Sequence, residues 1–220
     1  MNKNPVVMVV DDDSGVRNAM RALLKSVGLN SVLFSSAQEF LDAYDAQQPG
    51  CLLLDIRMPG KSGMELQQDL NLRGAVVPVI FMSGHADIPM AVEAMQHGAF
   101  DFLQKPFRDQ DLLDRIQKAI AKDAERRLAL GEQTRIRTHL ESLTEREREV
   151  LDLLTLGKQN KVIAQDLGVS PRTVEIHRAH LMDRLGAQTL PEVVLKATAA
   201  LKPRPSQKPA NRRGEGRGGR

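Results

Sequence analysis

Only 3% of the 220 residues are aromatic, with no Trp and one Tyr, and the chain holds a single cysteine, Cys51. One cysteine excludes a disulfide within the chain and any zinc site built on several thiolates. Cys51 opens an apolar run and reads as a small core residue. So few aromatics argue against the stacking platforms that hold single-stranded nucleic acid, and they leave Leu, Val, Ile, Ala and Met to fill the cores. No window approaches the roughly 20 apolar residues of a membrane span, and the first residues lack a basic stretch leading into a long apolar one. A cytoplasmic protein with no membrane partner is expected.

Charge of one sign is scarce everywhere except at the C-terminal end. Residues 1–122 hold 12 Lys and Arg against 15 Asp and Glu, residues 123–201 hold 12 of each, and residues 202–220 hold 7 against 1. The net charge of +3 therefore arises in the last segment and not on a basic globular face, so the placement of individual charges has to carry any argument about partners.

In the first 120 residues, short apolar runs at Val6–Val10, Ser31–Ser35, Cys51–Leu54, Val79–Met82 and Phe100–Leu103 alternate with helical spacing. Val16, Met20, Leu23, Leu24 and Val27 share one face, as do Leu112, Leu113, Ile116 and Ile120. Several runs are almost wholly apolar, which suits strands buried on both sides of a parallel sheet. The pattern predicts an α/β domain over 4–122: a five-stranded, doubly wound parallel sheet. Residues 123–140 read as a charged helical linker. Over 141–201 no segment resembles a strand. Helices are predicted at 145–156, 160–167, 171–185 and 190–200, an all-α four-helix domain. Thr144 and Glu147 have the spacing of a capping box, Gly157 and Gly168 are helix stops, and Ser170-Pro171 is an N-cap followed by Pro at the first helical position. Residues 202–220, rich in Pro, Gly, Arg and Lys, are expected to be disordered. A salt-sensitive, sequence-independent DNA arm is the functional possibility there.

Ligands of open α/β sheets bind beyond the carboxyl ends of the strands. At those ends stand Asp11, Asp12 and Asp13, then Asp55, then Ser83, then Lys105 with Pro106. Each acid alone is most often a turn or helix cap; the conjunction carries the signal. Crowded carboxylates favour a divalent cation of the Mg²⁺ type, which takes few carboxylates and keeps several waters. A carboxylate in that setting is a usable nucleophile towards phosphorus. The charge spread over a transferred phosphoryl group would then be met by the metal, the Lys105 ammonium and the Ser83 hydroxyl.

Val10-Asp11-Asp12, Leu54-Asp55-Ile56-Arg57-Met58-Pro59-Gly60, Met82-Ser83-Gly84 and Gln104-Lys105-Pro106-Phe107 together resemble the signature set of the response-regulator receiver family of two-component systems, with its flavodoxin-like fold. The resemblance implies phosphorylation of Asp55 by a sensor histidine kinase. It implies Mg²⁺ held by Asp12, Asp55 and the backbone carbonyl of Arg57, with Asp11 acting mainly through a water. It further implies Ser83 and Lys105 as phosphoryl contacts and Phe102 as a switch aromatic. Which two members of the run Asp11–Asp13 matter rests on that alignment. Phosphohydrolases with an aspartyl nucleophile place a second acid two positions later. Arg57 stands there, which favours a phosphate switch over a turnover enzyme. A regulator working through partner contacts without phosphorylation is the other alternative, and the complete Asp55, Ser83, Lys105 set speaks against it.

In the second domain, Asn160–Leu167, a tight turn and the segment from Ser170 read as a helix-turn-helix whose second helix enters the major groove of duplex DNA. Val174, Leu181 and Leu185 should face its core. Arg172, Thr173, Glu175, Arg178 and His177 are candidate DNA contacts, although His177 could equally be a packed histidine. The segment resembles the LuxR-type effector domain of NarL/FixJ regulators. Ser170-Pro171-Arg172-Thr173-Val174-Glu175-Ile176-His177-Arg178 and Ser83-Gly84-His85-Ala86-Asp87-Ile88-Pro89 are close to the FixJ branch. That resemblance implies Lys161 near the DNA backbone, a dimer contact through the last helix, a homodimer on phosphorylation, and transcription control in place of enzymatic turnover.

Overall fold

The computed structural model describes residues 3–84 and 88–201. The expected disorder and DNA arm of 202–220, and the His85-Ala86-Asp87 part of the FixJ-like motif, lie outside the described residues. The chain divides into two compact units, Met1–Ala129 and Leu130–Arg220.

The first unit begins with β1 (Val6–Val10), α1 (Ser14–Ser26), β2 (Asn30–Phe34), α2 (Ala37–Ala43) and β3 (Gly50–Asp55). It continues with α3 (Gly63–Leu72), β4 (Val79–Ser83), α4 (Ile88–Gln96), β5 (Asp101–Gln104) and the start of α5 (Asp109–Glu141). All four strand pairings are parallel, in the order β2-β1-β3-β4-β5. Successive side chains on a strand point to opposite faces, and here both faces are dry. Met8, Val10, Leu52, Leu54, Val79 and Phe81 meet Phe40, Leu66, Leu70 and Ala94 of α2, α3 and α4 on one side. Val7, Val9, Cys51, Leu53, Ile80 and Met82 meet Met20, Leu24, Leu112 and Ile116 of α1 and α5 on the other. Two covered faces explain why the strand segments are apolar throughout rather than alternating. Fully burying each such side chain contributes about 1.5–3 kcal/mol. Cys51 is one of them: burial, and then the charge of Asp123, pushes its thiol up to about 12, so it behaves as an inert hydrophobe.

α5 is longer than its apolar face requires. Beyond Ala119, the last buried apolar residue of its first half, Asp123 is buried and accepts from the Gly50 N–H at 2.9 Å and from Arg127 Nε at 2.7 Å. Arg127 also donates to the carbonyls of Ala46 (3.0 Å) and Gln48 (2.8 Å). Asp123 and Arg127 are thus ties to the loop entering β3, although their surrounding sequence reads as a solvated charged run.

In the second unit the last turns of α5 bring Ile136 and Leu140 against α6 (Glu145–Thr155), α7 (Asn160–Leu167), α8 (Pro171–Leu185) and α9 (Leu190–Leu201). Thr144 and Glu147 form the capping box of α6. Ser170 caps α8 by accepting from the Thr173 N–H at 3.1 Å, with Pro171 in the first turn. Between α7 and α8, Gly168 takes a left-handed φ of 64°, a conformation that costs glycine little and other residues about 1–2 kcal/mol. That tight turn sets α8 across α7, and Val174, Leu181 and Leu185 of α8 are fully buried. Among the described residues, no helix is long and apolar enough to cross a membrane.

Candidate functional site

Strand order reverses between β1 and β3, and the crevice at such a reversal is where open α/β sheets bind ligands. β1 delivers Asp11 there and β3 delivers Asp55, both buried. The register Val10↔Leu54 fixes them as neighbours, one residue beyond that pair. Lys105 follows β5, and its N–H donates to the Ser83 carbonyl at 2.8 Å, which extends the β4–β5 ladder by one bond to the rim. The Lys105–Pro106 peptide is cis.

The Lys105 ammonium bridges the two acids, 2.7 Å from Asp55 Oδ1 and 2.8 Å from Asp11 Oδ2. The second Asp55 oxygen accepts from the Arg57 N–H at 2.8 Å. Burial pushes the Asp55 carboxyl above its ordinary value; Lys105 opposes this and the Asp11 charge adds to it. Burial alone would lower the Lys105 ammonium, but its bonds to Asp11 and Asp55 outweigh that and raise it. The site is therefore one cation shared by two carboxylates. The floor behind it is close-fitting: a Cβ on Gly63 would stand 2.2 Å from the Asp55 carbonyl oxygen, so the turn from β3 into α3 needs glycine there.

The run Asp11–Asp13 separates into three environments. Asp11 is buried in the crevice, and its Oδ1 accepts from the Asp13 N–H at 2.9 Å. Asp12 is exposed at the rim. Asp13 is the N-cap of α1 and accepts from the Gly15 N–H at 2.7 Å. Among the described residues, no three of His, Cys, Asp and Glu are drawn together as a preformed metal cage. The donors are two buried carboxylates with a third at the rim. That sparse set of hard oxygens fits Mg²⁺, which takes one or two carboxylates and keeps several waters. Ser83 is buried at the end of β4 and Phe102 is half-buried against the α2–α4 side of the core. Arg57 is exposed.

On α8 the exposed residues Arg172, Glu175, Ile176, Ala179, His180 and Asp183 form one outward face. Arg172 pairs with Glu175 at 3.2 Å. Thr173, His177 and Arg178 are half-buried on the flanks, and the Nδ1 of His177 is buried. Lys161 on α7 is exposed. Ile176, 46% exposed, was not singled out in the sequence. Its signal was there, however: it lies at i+4 from Arg172, on a row the core does not use.

Comparison with known proteins agrees with this arrangement. Residues 7–117 match the model of the response regulator receiver domain, and residues 141–197 match that of the bacterial regulatory proteins of the luxR family. The chain is 45% identical over 194 residues to the transcriptional regulatory protein FixJ of Azorhizobium caulinodans, covering 88% of this chain and 92% of that one. It is 39% identical over 197 residues to the response regulator protein TodT of Pseudomonas putida, covering 90% and 86%. Among solved structures, the response regulator StyR superposes with a TM-score of 0.79 at 43% identity, over 89% of this chain and 99% of that one. Full-length FixJ from B. japonicum gives 0.55 at 39% identity, over 90% and 98%. A receiver domain followed by a helix-turn-helix effector defines the class, that of response regulators with a DNA-binding output. Within that class, the chain belongs to the NarL/FixJ family of two-component response regulators and is a phosphorylation-dependent transcriptional regulator. Receivers of this kind bind Mg²⁺ in the acidic pocket and are paired with a histidine kinase.

Proposed function

We propose that Asp55 is the phosphorylated residue, and the observation that carries this reading is the Lys105 ammonium 2.7 Å from its Oδ1. An oxygen of the Asp55 carboxylate attacks phosphorus, the bond from phosphorus to the kinase histidine nitrogen breaks, and that nitrogen leaves with the electron pair. Lys105, already cationic and oriented, meets the charge of the transferred oxygens, and the Ser83 hydroxyl hydrogen-bonds one of them. Asp11, Asp12, Asp55 and the Arg57 carbonyl would hold Mg²⁺, which when bound neutralises phosphoryl charge during transfer. Once Asp55 carries the group, Lys105 gains a more highly charged partner than Asp11. Ser83 and the half-buried Phe102, on adjacent strands, are the residues through which that change reaches the face formed by 88–108.

The output is binding of promoter DNA by a homodimer that assembles on phosphorylation in the cytoplasm. Arg172, Thr173, Glu175, His177 and Arg178 of α8 and Lys161 of α7 form its DNA-binding surface. α8 projects its first turns outward, the part of a recognition helix that reaches base edges, and Ile176 offers an apolar contact for a thymine methyl group. Intact mass after incubation with acetyl phosphate and Mg²⁺ tests the acceptor. One added phosphoryl group in the wild type and none in Asp55→Asn is expected. Equal uptake by both proteins would move the acceptor elsewhere.

A further inference from the structure

We propose that Arg178 is a positioning residue of the DNA-binding surface and not a reader of bases. The inference rests on the reading of α8 as the recognition helix. Arg178 lies four residues after Val174 and three before Leu181, both fully buried, so it shares their side of the helix and not the outward row of Arg172, Glu175, Ile176 and Ala179. Its long stem leaves the core only at the flank, towards α7. There its Nη1 donates to the side-chain oxygen of Asn160, the first residue of α7 and 18 positions away in sequence.

The chemistry of the partner matters. Asn160 is a neutral acceptor, so it fixes the guanidinium without cancelling its charge. Two other cations of this unit are neutralised: Arg172 by Glu175 at 3.2 Å and Lys158 by Asp166 at 2.7 Å. Among the described residues, Arg178 forms no ion pair with a carboxylate. An oriented, half-buried and unneutralised cation at the junction of the two helices is suited to a phosphate oxygen. Phosphate contacts set register and carry no sequence information. Arg178 therefore sets the seating of α7 and α8 on the duplex, and Asn160 acts through it.

The test uses the full-length chain with acetyl phosphate and Mg²⁺. A pool of randomised duplexes yields its preferred sequence. Affinity for that duplex and for a scrambled one is then measured against salt for wild type, Arg172→Ala, Asn160→Ala, Arg178→Ala, Arg178→Lys and the Asn160→Ala/Arg178→Ala pair. All are compared at a temperature where circular dichroism shows each folded. Arg178→Ala is expected to weaken both duplexes by the same factor, on the order of tenfold, to lower the salt slope by about one and to leave the selected sequence unchanged. Asn160→Ala should weaken both in common, and the double variant should be no weaker than Arg178→Ala. Arg178→Lys keeps the charge but lacks the rigid planar fork of the guanidinium, and should restore the salt slope with the same preference. Arg172→Ala should broaden the preference. If Arg178→Ala and Arg178→Lys broaden a base position that Asn160→Ala leaves sharp, Arg178 reads that base and the proposal fails. An unchanged salt slope in Arg178→Ala overturns it too. If Arg172→Ala also leaves the preference intact, α8 is not the reading helix, and the underlying assignment falls together with this one.

Discussion

The Lys105 ammonium lies 2.7 Å from the Asp55 carboxylate. The two are 50 positions apart in sequence, and they meet because parallel pairing brings the ends of β3, β4 and β5 to one edge. The same ammonium reaches Asp11, so one cation keeps two buried acids apart.

Lys105→Met removes that cation and leaves Asp11 and Asp55 facing each other. The Lys105 side chain is 23% exposed, so the cost is expected below that of a fully buried pair, about 2 kcal/mol of receiver stability at neutral pH. Burial already raises the Asp55 carboxyl and Lys105 opposes that rise, so without the cation its folded value lies further above the unfolded one. Stability should recover as pH falls through that raised value. Denaturant melts at pH 7 and pH 5 check both the loss and its reversal.

Arg127→Ala should destabilise the receiver by about 2–3 kcal/mol, because it leaves the buried Asp123 carboxylate without its cation. Asp123→Asn removes the charge while keeping an acceptor for the Gly50 N–H, and should cost less. Equilibrium unfolding of the two variants checks the order; a larger loss in Asp123→Asn would contradict it.

Glu147 ties the effector domain to pH. Burial would raise its carboxyl, but the backbone and hydroxyl bonds from Thr144, with Arg184 and His180 nearby, hold it below the ordinary 4.5. A depressed carboxyl contributes stability that is fully present above its unfolded value and is lost as pH falls through the folded one. The domain is expected to weaken below about pH 4.5. Glu147→Gln should flatten that slope and cost about 1 kcal/mol at pH 7 through the weakened cap. Thermal melts across pH 3.5–7 measure both.

Leu181→Ala opens a cavity under α8 at a fully buried position. A loss of about 3 kcal/mol is expected, confined to the second unit. Calorimetry of the full chain should show one transition lowered and the receiver transition unmoved; a shift of both would mean that the two units melt as one.

Much of the architecture was legible because local chemistry marks it. Five apolar runs gave the strands to within a residue or so at each end, and the boundary of α8 followed from Ser170-Pro171. The acids, hydroxyl and lysine of the crevice were named because strand ends in a parallel sheet share an edge. Within the run Asp11–Asp13, however, the sequence offered three equivalent carboxylates. The path of the chain from β1 into α1 made one a buried partner of Lys105, one a rim residue and one a helix cap. Charged residues of the linker gave no local sign that Asp123 and Arg127 anchor to the loop before β3, because their partners are backbone groups more than 70 positions away. The periodicity of α8 identified its buried row but not the partner of Arg178, which depends on where α7 starts in space. Sequence by itself determined the elements, their order and the chemical types at the sheet edge, since these follow from side-chain periodicity and capping. Tertiary structure alone decided which polar atoms meet, since hydrogen bonds and ion pairs act over about 3 Å and long-range packing sets that distance.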